Sequence, residues 1–152
     1  QPYQSVGRWL LDRGLIKDAS WQGIKAWIVS TQQSNPRLVQ EMFWSNPRYV
    51  FFREEVRSAA DADLGPRGAQ GVPLTAGRSI AVDKDSIPYG TPVWLASTGP
   101  NGNLQRMVFA QDTGSAIVGA VRADYFAGTG AEAGEYAGRM KQSLRLWVLW
   151  PK

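Results

Sequence analysis

Residues 108–130 read VFAQDTGSAIVGAVRADYFAGTG, and the fold is decided by how this stretch is taken. An apolar run, Val108, Phe109 and Ala110, stops at Gln111, Asp112, Thr113 and Gly114, the pattern of a buried strand running into its turn. Asp124 follows twelve positions later, ahead of Tyr125, Phe126 and a second Gly-rich segment. Two carboxylates therefore stand among small residues in a chain of 152 with no His and no Cys. Thiol nucleophiles, disulfides, Ser-His-Asp hydrolysis and most zinc chemistry are excluded, and no cofactor or metal is expected. Acid–base work falls to Asp, Glu, Tyr or Lys.

Outward from this stretch, short apolar segments alternate with turn signals. LTAGRSIAVD (74–83), TPVWLAS (91–97), LQRMVFAQD (104–112) and SLRLWVLW (143–150) read as strands, and RYVFFREEV (48–56) as another. Asn101–Gly102 marks a hairpin. GAEAGEYAGRMKQ (130–142) reads as a short helix. Segments this short, in a chain with 16 Gly, predict a small β-barrel.

Upstream the period changes to that of helices. In QSVGRWLLDRGLI (4–16), Gly14 is placed as a C-terminal stop. DASWQGIKAWIVS (18–30) has Asp18 or Ser20 as N-cap and Trp21, Ile24, Trp27 and Ile28 along one face. SNPRLVQEMFWSNPR (34–48) opens with Ser34 or Asn35 as cap and Pro36 at the first helical position. The division is thus a helical segment over residues 1–48 and a β domain over 49–152.

The net charge of +4 comes from 17 Lys and Arg scattered along the chain, so no nucleic-acid footprint is expected. An anionic glycan suits the charge, and seven Trp could supply sugar-stacking faces. The chain opens on Gln1 and reads as mid-domain sequence, from which we expect an export signal upstream.

Each carboxylate admits a plain structural use. Asp112 suits an Asx-turn, Asp124 a helix N-cap, and Asp83, in AVDKDSIPYG, a turn. The chemical use is sharpest for Asp124. A carboxyl beside aromatic surface loses solvation, which favours its protonated form, and such a group can protonate a departing glycosidic oxygen.

Together VPLTAGRSIAVDKDSIPYGTPVWL, MVFAQDTGSAI, RADYFAGTGAEAGEYAGRM and LRLWVL resemble the membrane-bound lytic transglycosylase A family, and YQSVGRWLLDRGLI and NPRYVFFRE extend the likeness over nearly the whole chain. The resemblance implies a 3D domain, whose three aspartates are matched by Asp83, Asp112 and Asp124. It implies a double-psi β-barrel similar to those of barwin and expansins, mainly β with short helices at the N-terminal end. It also implies that an N-terminal segment, on a second chain, completes the barrel.

The implied activity is lytic cleavage of the β-1,4 bond between N-acetylmuramic acid and N-acetylglucosamine in peptidoglycan. The sugar's own C6 hydroxyl attacks, so one carboxyl can serve as acid and then base. Ordinary glycosidases need two carboxylates. By this resemblance Asp124 is the catalytic carboxyl, with Asp112 beside it tuning charge or touching sugar, and Asp83 is structural. Gln111, Gly114, Gly128, Tyr3 and Ser5 are candidate substrate contacts, with Trp94 and Tyr89 nearby in the motifs. The implied location is the periplasm, on the outer membrane through an upstream lipid anchor.

Two departures from the related barrels stand out. Arg122 and Ala123 replace a His-Phe pair before the acid, and Ser115 stands where a second Gly is common. The rival reading is a wall-binding barrel without catalysis, as in expansins; inverting hydrolysis with Asp112 as base is a third.

Overall fold

The computed structural model describes all residues except 50, 52, 53, 55–60, 62, 63, 101, 141 and 152. It divides into two compact units, Gln1–Val56 and Arg57–Lys152. Among the described residues no helix is long and apolar enough to cross a membrane.

The first unit is helical: α1 (Val6–Asp12), α2 (Trp21–Gln32) and α3 (Pro36–Trp44). Each begins where a side-chain oxygen takes up a free N–H of the first turn. Ser5 accepts from Arg8, Ser20 from Gly23 and Asn35 from Leu38. Of the paired candidates, Ser20 and Asn35 are thus the caps, while Asp18 accepts from the backbone N–H and hydroxyl of Ser20 and holds that cap in place. Gly14 ends α1 with φ +65°, a conformation that disfavours side chains. Leu10, Ile24, Val39 and Met42 form the core. Trp21, expected on the inner face of α2, is 65% exposed.

The second unit is built on a five-stranded sheet. Its strands are β1 (Ser79–Val82), β2 (Pro92–Gly99), β3 (Gly102–Asp112), β4 (Ala123–Tyr125) and β5 (Leu144–Val148), with α4 (Ala131–Gly138) before the last. The order across the sheet is β4-β1-β3-β2-β5. β1 and β3 are parallel; the other pairs are antiparallel. β2 and β3 are joined as a hairpin with Gly99 opposite Gly102, whose φ is +92°; Asn101 lies outside the described residues. The strand expected over residues 48–56 falls largely outside them too.

The two-residue alternation of a strand decides the faces. Val93, Leu95, Leu104, Val108, Ala110, Ile80 and Val82 form one buried layer, with Tyr125, Met140 and Leu146 packed against it. Trp94, Met107 and Trp147 lie on the opposite face, with Met107 and Trp147 the cross-strand partners of Trp94 on either side and each of the three 40–47% exposed. The closed barrel expected from the segment pattern is not formed by the described residues. Among the described residues β4 pairs only with β1 and β5 only with β2, which leaves the sheet open at both edges there.

Candidate functional site

β1 is the pivot of the site. Its Ala81 is the register partner of Asp112 on β3 and of Asp124 on β4. Register partners share a face, so both aspartates flank Ala81 on the side of the sheet opposite Ile80 and Val82. Two strand spacings set their backbones about 10 Å apart. A bulge makes this arrangement. The ladder steps from Ile80–Ala110 to Ala81–Asp112, leaving Gln111 over, and without that extra residue Asp112 would face the core.

The aspartates line one cavity of about 440 Å³ together with Thr113, Gly114, Ser115 and Phe126. Leu74 and Phe126 also line a neighbouring cavity of about 400 Å³, where Gly128 and Thr129 sit. These two cavities, which share Leu74 and Phe126 in their linings, make up the candidate groove. At Gly128 φ is +124° and an added Cβ would lie 3.3 Å from that of Ala76, so any side chain there would be strained and crowded. Gly114 would meet Ile117 at 3.3 Å.

Asp112 is partly buried, and its Oδ1 accepts the Ala69 N–H at 2.9 Å. Beside it the Thr113 hydroxyl donates to the Val82 carbonyl at 2.7 Å, fastening the end of β3 to β1. Gln111 turns its side-chain carbonyl to the hydroxyl of Ser79, which is fully buried and accepts from the Thr75 N–H at 2.8 Å. Ser79→Ala removes both bonds and leaves polar groups poorly paired. We expect a loss of about 1–3 kcal/mol in denaturant unfolding, and a change under 0.5 kcal/mol would show that water replaces the hydroxyl.

Asp124 differs from expectation in two respects. It lies in a strand, not at a helix N-cap, and its side chain is 60% exposed. The aromatic neighbour does not desolvate it, because successive residues of a strand face opposite ways. Tyr125 points into the core layer opposite Ile80, where Arg106 donates to its hydroxyl at 3.2 Å. Burial there pushes the Tyr125 phenol above its ordinary value, partly offset by Arg106. The guanidinium of Arg122, two residues before the acid, stands 3.8 Å from Asp124 Oδ1 with both side chains more than half exposed.

Asp83 lies outside the groove and fastens its rim. Its Oδ2 accepts from the Gly119 N–H at 2.7 Å and its Oδ1 from the Asp85 N–H at 3.0 Å. The segment between the two groove aspartates is thereby held at its middle. These bonds, Gly119 first, hold the Asp83 carboxyl below its ordinary value. A lowered folded-state value means stability that is present above the unfolded value and lost as pH falls through the folded one. Asp83→Ala should therefore lower the thermal midpoint at neutral pH, with the gap to wild type closing below about pH 4. A gap that persists unchanged at pH 2 would show that its charge is not the cause.

Tyr3 and Ser5 belong to the helical unit, where Tyr3 is 63% exposed and the Ser5 side chain caps α1. Tyr89 is partly buried after β1, and Trp94 faces away from the core on β2. Among the described residues no three acidic side chains gather as a metal site. The contact that sequence reasoning misses altogether is Ala69 on Asp112, for which composition carries no signal.

The second unit, in which Asp112 of β3 and Asp124 of β4 flank Ala81 of β1, matches the 3D domain description over residues 78–150. Residues 1–53 match the MltA specific insert domain. The chain belongs to the membrane-bound lytic murein transglycosylase A family. It is 56% identical to the lytic transglycosylase LtgG of Burkholderia pseudomallei, covering 97% of this chain and 43% of that one, with a TM-score of 0.64. For MltA of Neisseria gonorrhoeae the values are 43% identity, 99% and 37% coverage and a TM-score of 0.83. For Escherichia coli MltA with bound chitohexaose they are 30%, 97% and 44%, and 0.80. The chain spans 40% of the length of the curated relatives it matches.

Proposed function

We propose that this chain carries the acid-bearing part of a lytic transglycosylase acting on the β-1,4 bond between N-acetylmuramic acid and N-acetylglucosamine in peptidoglycan. The observation that carries the reading is the pairing of Asp112 and Asp124 across Ala81 in one groove. Asp124 protonates the departing glycosidic oxygen, then takes the proton of the muramic acid C6 hydroxyl as that oxygen closes on the anomeric carbon. The products are a free N-acetylglucosamine hydroxyl and a 1,6-anhydromuramic end. Asp112 supplies fixed negative charge beside the positive charge that develops on the sugar ring. Gly114 and Gly128, which line the groove, and Gln111, the extra residue of the bulge before Asp112, are the sugar contacts on this unit. The glycan bound in the Escherichia coli relative supports a sugar polymer as substrate.

The exposure of Asp124 has a bearing on its partners. The Asp124 side chain is 60% open to water on this unit, so on this reading a second wall covers it. The free edges of β4 and β5 supply places for further strands. The reading is that a second polypeptide segment, the N-terminal half of a protein as long as the relatives, completes a double-psi barrel on this sheet and roofs the groove. Location in the periplasm, at the outer membrane, follows the membrane-bound relatives.

Incubation of the intact protein with purified peptidoglycan, read by mass spectrometry, tests the reaction. Anhydromuropeptides are expected; binding without any product would favour the expansin-like wall-binding role, which the same exposure of Asp124 suits.

A further inference from the structure

Between residues 64 and 74 the chain makes a tight excursion that closes on itself. Leu74 N–H donates to the Pro66 carbonyl at 2.8 Å and Gly68 N–H to the Val72 carbonyl at 2.9 Å, while the Arg67 guanidinium reaches the Gly71 carbonyl at 2.9 Å. Two consecutive N–H groups project from its tip toward the end of β3. Ala69 donates to Asp112 Oδ1 at 2.9 Å and Gln70 to the Gln111 carbonyl at 3.1 Å. The approach is close enough to need glycine, because a Cβ on Gly68 would fall 2.4 Å from the Gln111 carbonyl oxygen and 2.7 Å from Leu74 Cδ2.

We propose that this turn is a positioning device for the groove, with the Ala69 N–H orienting the Asp112 carboxylate and Gly68 permitting the contact. The inference rests on the reading of Asp112 above and assigns its control to a segment 43 residues away in sequence. A free aspartate on the last residue of a strand rotates about two side-chain bonds. An amide bond to one oxygen removes that freedom and is stronger for being made to a charged acceptor. A second contact, Gln70 to the backbone of Gln111, stops the tip from moving independently of β3. The negative charge is then set at a fixed place relative to Asp124 before substrate arrives, and no reorganisation is spent during the reaction. Ala69 is a positioning residue, since it acts through Asp112 and does not touch the reacting atoms.

The experiment is a double-mutant cycle in the full-length protein, measuring kcat and KM for anhydromuropeptide release. Ala69→Pro removes the N–H, Ala69→Ser keeps it, and each is made alone and with Asp112→Ala. Ala69→Pro should lower kcat about 10- to 100-fold, the range for a hydrogen bond to a charged group, with KM little changed. Ala69→Ser should restore wild-type kcat. In the Asp112→Ala background Ala69→Pro should cost nothing further, because the group it acts through is gone. Gly68→Ala serves as a second variant where the proline prevents folding, as judged by the thermal midpoint. It should give a smaller kcat loss that also vanishes with Asp112→Ala. Equal fold losses in both backgrounds, or a loss for Ala69→Ser as large as for Ala69→Pro, overturn the inference. A wild-type rate in Ala69→Pro beside a slow Asp112→Ala overturns it alone, whereas a wild-type rate in Asp112→Ala overturns the use of Asp112 on which it rests.

Discussion

Asp124→Asn should lower the rate of anhydromuropeptide release by about 10²–10⁴-fold, the usual contribution of a positioned proton donor, and leave glycan affinity unchanged. An amide of the same shape keeps one acceptor oxygen, presents an NH2 donor in place of the other, and cannot give up an acidic proton. The fold gives no reason for a second effect. The side chain is largely exposed on a three-residue edge strand, and its ion pair with Arg122 is long and open to solvent, so stability should move by no more than about 0.5 kcal/mol. Rates on purified peptidoglycan, with sedimentation binding in parallel, make the comparison. An unchanged rate would remove Asp124 from the chemistry; a parallel loss of binding would make it a sugar contact instead.

Ile80→Ala is expected to be the most damaging single change to the sheet, at about 2–5 kcal/mol. Ile80 is fully buried, between Tyr125 of β4 and Ala110 of β3, so truncation opens a cavity under the strand that sets both aspartates. Denaturant unfolding of the full-length protein measures the loss, and a value under 1 kcal/mol would mean that the neighbours collapse into the gap. Activity should fall through the folded fraction alone, with the rate per folded molecule preserved at low temperature.

Much of the frame was legible in the residues. Four of the five strands lie within or against segments read from alternation and turn signals, and Ser20, Asn35 and Pro36 mark helix starts because capping and proline chemistry act locally. The fifth strand was not legible. Ala123–Tyr125 is too short to show a period, and its pairing with β1 is a long-range event. The same limit hid the geometry of the groove. A separation of twelve residues between Asp112 and Asp124 says nothing of β1 entering between them, and the bulge at Gln111 appears only in the ladder. The expectation of a dehydrated Asp124 failed for a simple reason: adjacency to Tyr125 in sequence becomes opposition across the sheet once the segment is extended. Ala69 was invisible because its contribution is a backbone N–H, which every residue except proline possesses.

The parallel alignment of β1 with β3 also sets a timetable for assembly. The β2–β3 hairpin closes over a short turn and can zip in microseconds, whereas β1 must find β3 across an intervening strand, and β4 must find β1 across more than 40 residues of chain. Non-local pairings of this kind carry a larger entropy of loop closure and arrive late. The two carboxylates are therefore expected to meet only after the β2–β3 hairpin has formed.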